Sequence, residues 1–210
     1  MIVSLRARAA HWPAAAVWSA LGLATLALYT FPLTARFSLV ALIGRPGLTL
    51  AKLAGYAPLT GLLYALAFSA LFGLYWLAFR HAQSRHGRGD WLQVALWLAA
   101  FSFVLLWLYP IDAADVFEYI MRGRMSVWYG ANPFVDVPSE FPRDPVYRYI
   151  AWRYVPSAYG PLWELLAGAL VRLAGRDLLL TVFAYKLAAL AGYAAALVLI
   201  AATLRRLAPE

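Results

Sequence analysis

A chain of 210 residues with 64% hydrophobic and 13% charged side chains, and a mean hydropathy of +0.68, is not an ordinary soluble globule. This is the profile of an all-α polytopic membrane protein, because only helices or closed barrels satisfy their own backbone in lipid. The net charge of +8 is carried by 16 arginines and 2 lysines, and on a membrane protein such loops meet lipid headgroups and anionic ligands rather than nucleic acid.

From the amino terminus, the basic start MIVSLRARAAHW leads into Pro13–Ala35, 23 residues without a charge. That run is longer than the apolar core of a secretory signal and predicts a retained signal-anchor helix. The runs 53–79 and 91–111 are also charge-free, and each exceeds the ~20 residues that cross ~30 Å of hydrocarbon. Between the first two, FSLVALIGRPGLTLA is broken by Arg45-Pro46-Gly47. It predicts a surface-lying or re-entrant segment. Arg80–Asp90 is a basic, turn-forming connector.

Further along, 159–174 is a marginal fourth span that carries Glu164 and Arg172, and 178–204 is a fifth that contains Lys186. An ionisable group at that depth is expected to face protein or a water-filled cavity. Five spans are thus predicted around a large loop, 112–158. With the amino terminus inside, 7 basic residues lie inside and 10 outside, or 7 and 5 if five loop arginines are set aside. The positive-inside rule therefore does not choose an orientation.

Ile111–Tyr159 holds six of the ten acidic residues, five arginines, six tyrosines and two tryptophans. From Ala113 onward, Val116, Phe117, Ile120, Met121 and Val127 recur at helical spacing, and Gly130 with Pro133 ends the pattern. Asp115, Tyr119, Arg122 and Ser126 fall on one face. The prediction is a juxtamembrane amphipathic helix that lies at the membrane surface and aligns a carboxylate, a phenol and a guanidinium. Asp112 also suits a helix cap, and Asp115 either a helix amino terminus, half of an ion pair or a general base.

The rest of the loop interleaves prolines with Arg143, Arg148, Arg153 and aromatics. Guanidinium groups suit phosphate and aromatic faces suit sugar rings, while the same residues also make an interfacial belt. There is no cysteine, so disulfides and thiolate metal sites are absent from the chemistry. No His/Asp/Glu spacing suggests a metal, and His11, His81 and His86 lie apart from the loop.

These residues carry a resemblance. D-V-F-E-Y-I-x-x-G-R-M, then Y-G-x-N-P-F, D-P-V-Y and P-S-x-Y-G-P-L-W, resemble the first large extracytoplasmic loop of GT-C-type glycosyltransferases. They are most similar to the polyprenol-phosphomannose-dependent mannosyltransferases of bacterial envelopes. The match covers roughly Asp112–Leu166.

The resemblance implies a multi-pass plasma-membrane enzyme whose loop carboxylate deprotonates a sugar hydroxyl on a glycan or glycolipid acceptor. That hydroxyl attacks a polyprenyl-phosphate sugar with inversion, and the reaction uses no metal and no cofactor. Asp115 matches the family aspartate and Asp112 is the fallback. Tyr119, Arg122, Arg124, Asn132, Arg143, Arg153 and Tyr159 are the substrate-binding candidates, with Arg122 and Arg124 for the donor phosphate. Relatives run to roughly twice this length. The chain is therefore expected to be an amino-terminal half, with three options left open: a piece of a larger transferase, one of two chains that complete the fold, or a chain no longer active as a transferase, either an inactive fragment or a non-catalytic membrane partner subunit. Lys186 and Glu164 in predicted spans also prompt a transporter reading.

Overall fold

A computed structural model describes residues 14–45, 52, 55–83, 88–111 and 115–207. Asp112 lies outside them. Among the described residues there are seven α-helices: α1 (Ala14–Leu28), α2 (Leu39–Leu42), α3 (Pro58–Gln83), α4 (Arg88–Leu106), α5 (Asp115–Trp128), α6 (Pro161–Ala174) and α7 (Leu178–Leu207). A wider π-helical segment, Tyr29–Ala35, continues α1 around Pro32, whose missing N–H disfavours regular α pairing.

Among the described residues, three helical stretches are long and apolar enough to cross a bilayer: Ala15–Ala35, Pro58–Gln83 and Leu178–Leu207. The apolar part of α4 is shorter, Trp91–Leu106. Helix α6 has 14 residues, roughly 21 Å of rise against ~30 Å of hydrocarbon.

The helices are placed by specific contacts. Gly22 of α1 lets Trp97 of α4 lie against its backbone, since a Cβ there would stand 2.1 Å from the indole. Farther along the pair, Thr34 Oγ1 donates to Val104 O at 3.5 Å. Beyond both helix ends, Leu39 N donates to Trp107 O (2.7 Å) and Tyr109 N to Phe37 O (2.8 Å). The ascending contacts mean that α1 and α4 run parallel and end at one level. The Trp18–His81 ring contact, 5.2 Å between centroids, joins the start of α1 to the end of α3, so α3 runs the opposite way.

Lys186 meets the end of α4, where Pro110 has no N–H to continue the helical ladder. Its ammonium donates to Leu105 O (2.9 Å), Leu106 O (3.1 Å) and Leu108 O, carbonyls in and just past the last turn of the helix, where the intrahelical ladder runs out; Leu105 O also accepts from Leu108 N (3.2 Å). The cation also sits at the negative end of the helix dipole. Its place in an apolar helix is thereby accounted for by packing. It also shows that α7 passes the end of α4 about two turns after starting. From Leu187 to Leu207, α7 rises roughly 31 Å, and its most apolar stretch has no residue buried by the rest of the chain.

Everything at or past that level forms one core. Phe37, Leu39 and Tyr109 pack with Phe117, Ile120, Met121 and Met125 of α5, Tyr149 of the loop, Val171 of α6, and Val182 and Tyr185 of α7. Tyr149 stacks on Phe117 at 4.8 Å and its hydroxyl donates to Ile43 O at 2.5 Å.

Helices α5 and α6 run parallel and close. Tyr119 meets Trp163, with 4.9 Å between ring centroids. Gly123 faces Ala167, and Gly168 faces Ser126 and Val127. A Cβ on Gly123 would lie 2.6 Å from the Ala167 carbonyl oxygen, and backbone cannot swing aside. Gly123→Val is therefore expected to destabilise the protein by about 1–3 kcal/mol, measured by thermal unfolding in detergent, whereas Gly61→Ala, inside a helix with open space at its Cβ position, should be neutral or slightly stabilising.

Candidate functional site

Helix α5 forms because its apolar residues recur at 3.6 spacing and Asp115 and Glu118 fill its first turn, where carboxylates oppose the positive end of the dipole. It ends where Gly130 takes φ +65° and Ala131 N donates back to Met125 O (3.0 Å). The helix is wrapped on most sides. Phe117, Ile120, Met121 and Met125 are buried, and so are Glu118, Arg122 and Arg124. The expected surface helix with one open polar face is therefore different in the structure. Exposure falls along the polar stripe, from exposed Asp115 through half-buried Tyr119 to buried Arg122, because α6 and the returning loop cover its later turns.

Asp115 stands at the open end of this stripe. One turn on, the Tyr119 hydroxyl donates to the Tyr159 hydroxyl at 3.2 Å, and its ring meets Tyr159 and Trp163 edge-on, with centroids 5.0 and 4.9 Å away. Burial, then the Tyr159 hydrogen bond, then the Tyr159 and Asp115 charges push the Tyr119 phenol well above its ordinary range. It therefore remains a protonated donor at any physiological pH. The result is a carboxylate open to solvent beside a wall of three aromatic rings.

Behind the wall, Ala151–Ser157 is strapped down by buried charges. Glu118 Oε1 accepts from Ala151 N (2.6 Å) and Trp152 N (2.9 Å). Arg122 Nη2 donates to Val155 O (3.2 Å). Ser157 Oγ donates to Glu164 Oε1 and accepts from Tyr159 N (3.1 Å). Each charged group keeps reserve capacity: Glu118 Oε2, Arg122 Nε and Nη1, and Glu164 Oε2 have no hydrogen-bond partner among the described residues. Buried polar atoms left in this way are costly unless something else meets them.

A second buried knot holds the loop's other half. Arg124 Nε donates to both oxygens of Asp144, at 3.0 and 2.8 Å. Asp144 also accepts from the Tyr129 hydroxyl (2.8 Å) and from Val146 N (2.8 Å).

A family model described as "Alpha-(1->6)-mannopyranosyltransferase, N-terminal domain" matches residues 16–210. The chain belongs to this mannosyltransferase family. No curated protein and no solved structure matches the chain.

In this mannosyltransferase-family domain the candidate residues divide by position. Asp115, Tyr119 and Tyr159 come together at the open end of α5, and Arg122 lies two turns below Asp115. Arg124 is held by Asp144, which gives its guanidinium an internal partner. Asn132 builds a turn: its Oδ1 accepts from Phe134 N (3.0 Å), and its own N–H donates to Asp136 Oδ2 (2.6 Å). Arg153 lies over the Tyr147 ring, 4.7 Å from its centroid, with Nε donating to Ile150 O (3.2 Å), and Arg143 is exposed.

Sequence reasoning missed Glu118, Trp163 and Glu164 at the site and Asp144 beneath it. Glu118 was legible in part, because it stands four residues before Arg122. The others depend on the path of the loop, which no local spacing reports.

Proposed function

We propose that the domain transfers mannose from a polyprenyl-phosphate donor to a growing α-(1→6)-linked envelope glycan or glycolipid, with inversion, in the manner of GT-C-type enzymes. Asp115 is the general base. Its carboxylate takes the proton of the attacking hydroxyl as the new C1–O bond forms, the bond from C1 to the phosphate oxygen breaks, and polyprenyl phosphate leaves. Tyr119, Tyr159 and Trp163 supply ring faces for the sugar. Arg122, with two guanidinium nitrogens that have no partner among the described residues, is the group best suited to meet the leaving phosphate. The observation that carries this reading is the exposed Asp115 at the amino terminus of a buried helix, beside the Tyr119–Tyr159–Trp163 wall. No cofactor is proposed.

Four crossings, by α1, α3, α4 and α7, suit the structure better than five. α6 is short and packs beside α5, and both lie past the end of α4, beside the first two turns of α7. In this arrangement α5, α6 and the loop sit on the extracytoplasmic side of the plasma membrane, against its lipid surface. Arg6, Arg8, Arg80, Arg85, Arg88, Arg205 and Arg206 then fall inside by chain order, leaving Arg36, Arg45 and Lys52 as the outside connector charges. That balance satisfies the positive-inside rule once the loop unit's own arginines are set aside.

The test of activity is an assay of mannose transfer from polyprenyl-phosphate mannose by membranes that contain this chain. Transfer from a nucleotide sugar alone, or no transfer unless a second membrane chain is supplied, would replace this reading with another donor class or with a partner-subunit role. Orientation is tested separately. The chain has no native cysteine, so Ser139→Cys gives one reporter, expected to react with an impermeant maleimide from the extracytoplasmic side. Labelling confined to the cytoplasmic side overturns the topology.

A further inference from the structure

A groove of about 640 Å³ opens between the end of α5, the Pro133–Phe134 corner and α6. It lies outside the Asp115–Tyr119–Tyr159 cluster and shares none of those residues. Phe134, 42% exposed, gives it an aromatic face, and Ser126, Glu164 and Arg172 give it polar groups. Ser126 directs its hydroxyl hydrogen to the carbonyls of Gly123 and Arg122, at 3.1 and 3.4 Å, which leaves its oxygen lone pairs as acceptors. Gly168 forms part of the floor, and a Cβ there would stand 3.4 Å from Ser126 Oγ.

Glu164 is the informative residue. It is 6% exposed and lines the groove. Ser157 fixes one carboxylate oxygen, and the other has no partner among the described residues. That oxygen is enclosed where it stands, and it gains a partner if the carboxylate turns toward a groove ligand rich in hydroxyl groups, which a hydrocarbon chain would not provide. An aromatic face beside a carboxylate and a guanidinium fits a pyranose ring, with C–H edges on the ring face and hydroxyls hydrogen-bonded on either side.

We infer that this groove is a remote acceptor subsite, which holds already-assembled α-(1→6)-linked mannose residues while the chain end reacts at Asp115. The inference rests on the transfer reaction proposed above. Ser126 lies eleven residues beyond Asp115 on α5, roughly 16 Å along the helix axis. A sugar seated in the groove is therefore several units behind the reacting hydroxyl, and the subsite acts through acceptor length rather than through chemistry at the anomeric carbon.

The experiment compares kcat/KM for a mannoside and for an α-(1→6)-linked mannotetraoside, with the protein in nanodiscs. The wild type is expected to favour the longer acceptor by about tenfold, the equivalent of one good contact. Phe134→Ala and Arg172→Ala, both at exposed positions, are expected to bring that ratio close to one. A wild type indifferent to length, or a preference that survives both substitutions, overturns the subsite.

If no acceptor is turned over, the transfer reading fails on its own, and saturation-transfer NMR with the tetraoside decides the groove. Binding weakened about tenfold by Phe134→Ala supports a glycan subsite. Binding that is absent, or equal in wild type and variant, overturns it.

Discussion

An Asp115→Asn protein is expected to transfer mannose about 100- to 10,000-fold more slowly than the wild type, the usual contribution of a positioned general base. The amide keeps the size and shape of the carboxylate but cannot take the proton of the attacking hydroxyl. Asp115 is exposed, so the folded protein should change little, within about 0.5 kcal/mol for a surface substitution. The loss should fall on kcat, because the interaction removed is made only as the hydroxyl attacks. Measuring kcat, KM and thermal unfolding on the same preparation separates this from a folding defect. Full activity in Asp115→Asn, with loss in Asp112→Asn, would move the base to Asp112.

Asp144→Ala is expected to cost about 3–5 kcal/mol of stability, because it leaves a buried guanidinium with no counter-charge. Arg124 and Asp144 have side chains only 3% and 0% exposed. Asp144 is also the acceptor for Tyr129 and Val146 N, so one substitution orphans three donors. Without it the loop would no longer be tied to α5, and protease sensitivity between Asn132 and Arg153 should rise together with the fall in melting temperature. Arg124→Met combined with Asp144→Leu removes both charges together. It is expected to recover part of the loss, and a double variant no better than Asp144→Ala would mean that the ion pair is not what holds the loop. Arg143→Ala, at an exposed position one residue away, is the control and should be nearly neutral.

Much of the fold was written in apolar patterning. The span expected at 13–35 corresponds to Ala15–Ala35, and that at 178–204 to Leu178–Leu207. Helix α5 starts at Asp115 and ends at Trp128, close to the Gly130 stop signal.

Patterning was less able to report depth. Residues 91–111 read as one run, yet α4 ends at Leu106, whose carbonyl cannot be met by Pro110, which has no N–H, and is met instead by a lysine 80 residues away. Pro161–Ala174 read as a marginal span because leucine serves equally well for lipid and for a neighbouring helix, and its own residues do not say that Gly123 lies against Ala167. The site was legible where its members share one helix, as Asp115, Tyr119 and Arg122 do. Arg124 and Asn132 looked like ligand groups by type, and the structure gives each an internal partner that lies within a folded loop. Such partners depend on tertiary path, and a charged residue in a loop carries no mark of which way it turns.

The Lys186 clamp also sets an order of assembly. Its nearest partner carbonyl in sequence is Leu108, 78 residues earlier, so during synthesis the end of α4 must wait for the whole loop unit to be made before its carbonyls are met. Closing so long a loop costs only slightly more chain entropy than closing one half as long, about 0.6 kcal/mol per doubling. The delay is therefore one of timing rather than of stability. When α7 docks, one ammonium closes the circuit around α5, the strap and α6. A nascent chain stopped before residue 186 would hold every candidate catalytic side chain and still lack the latch that closes them into one unit.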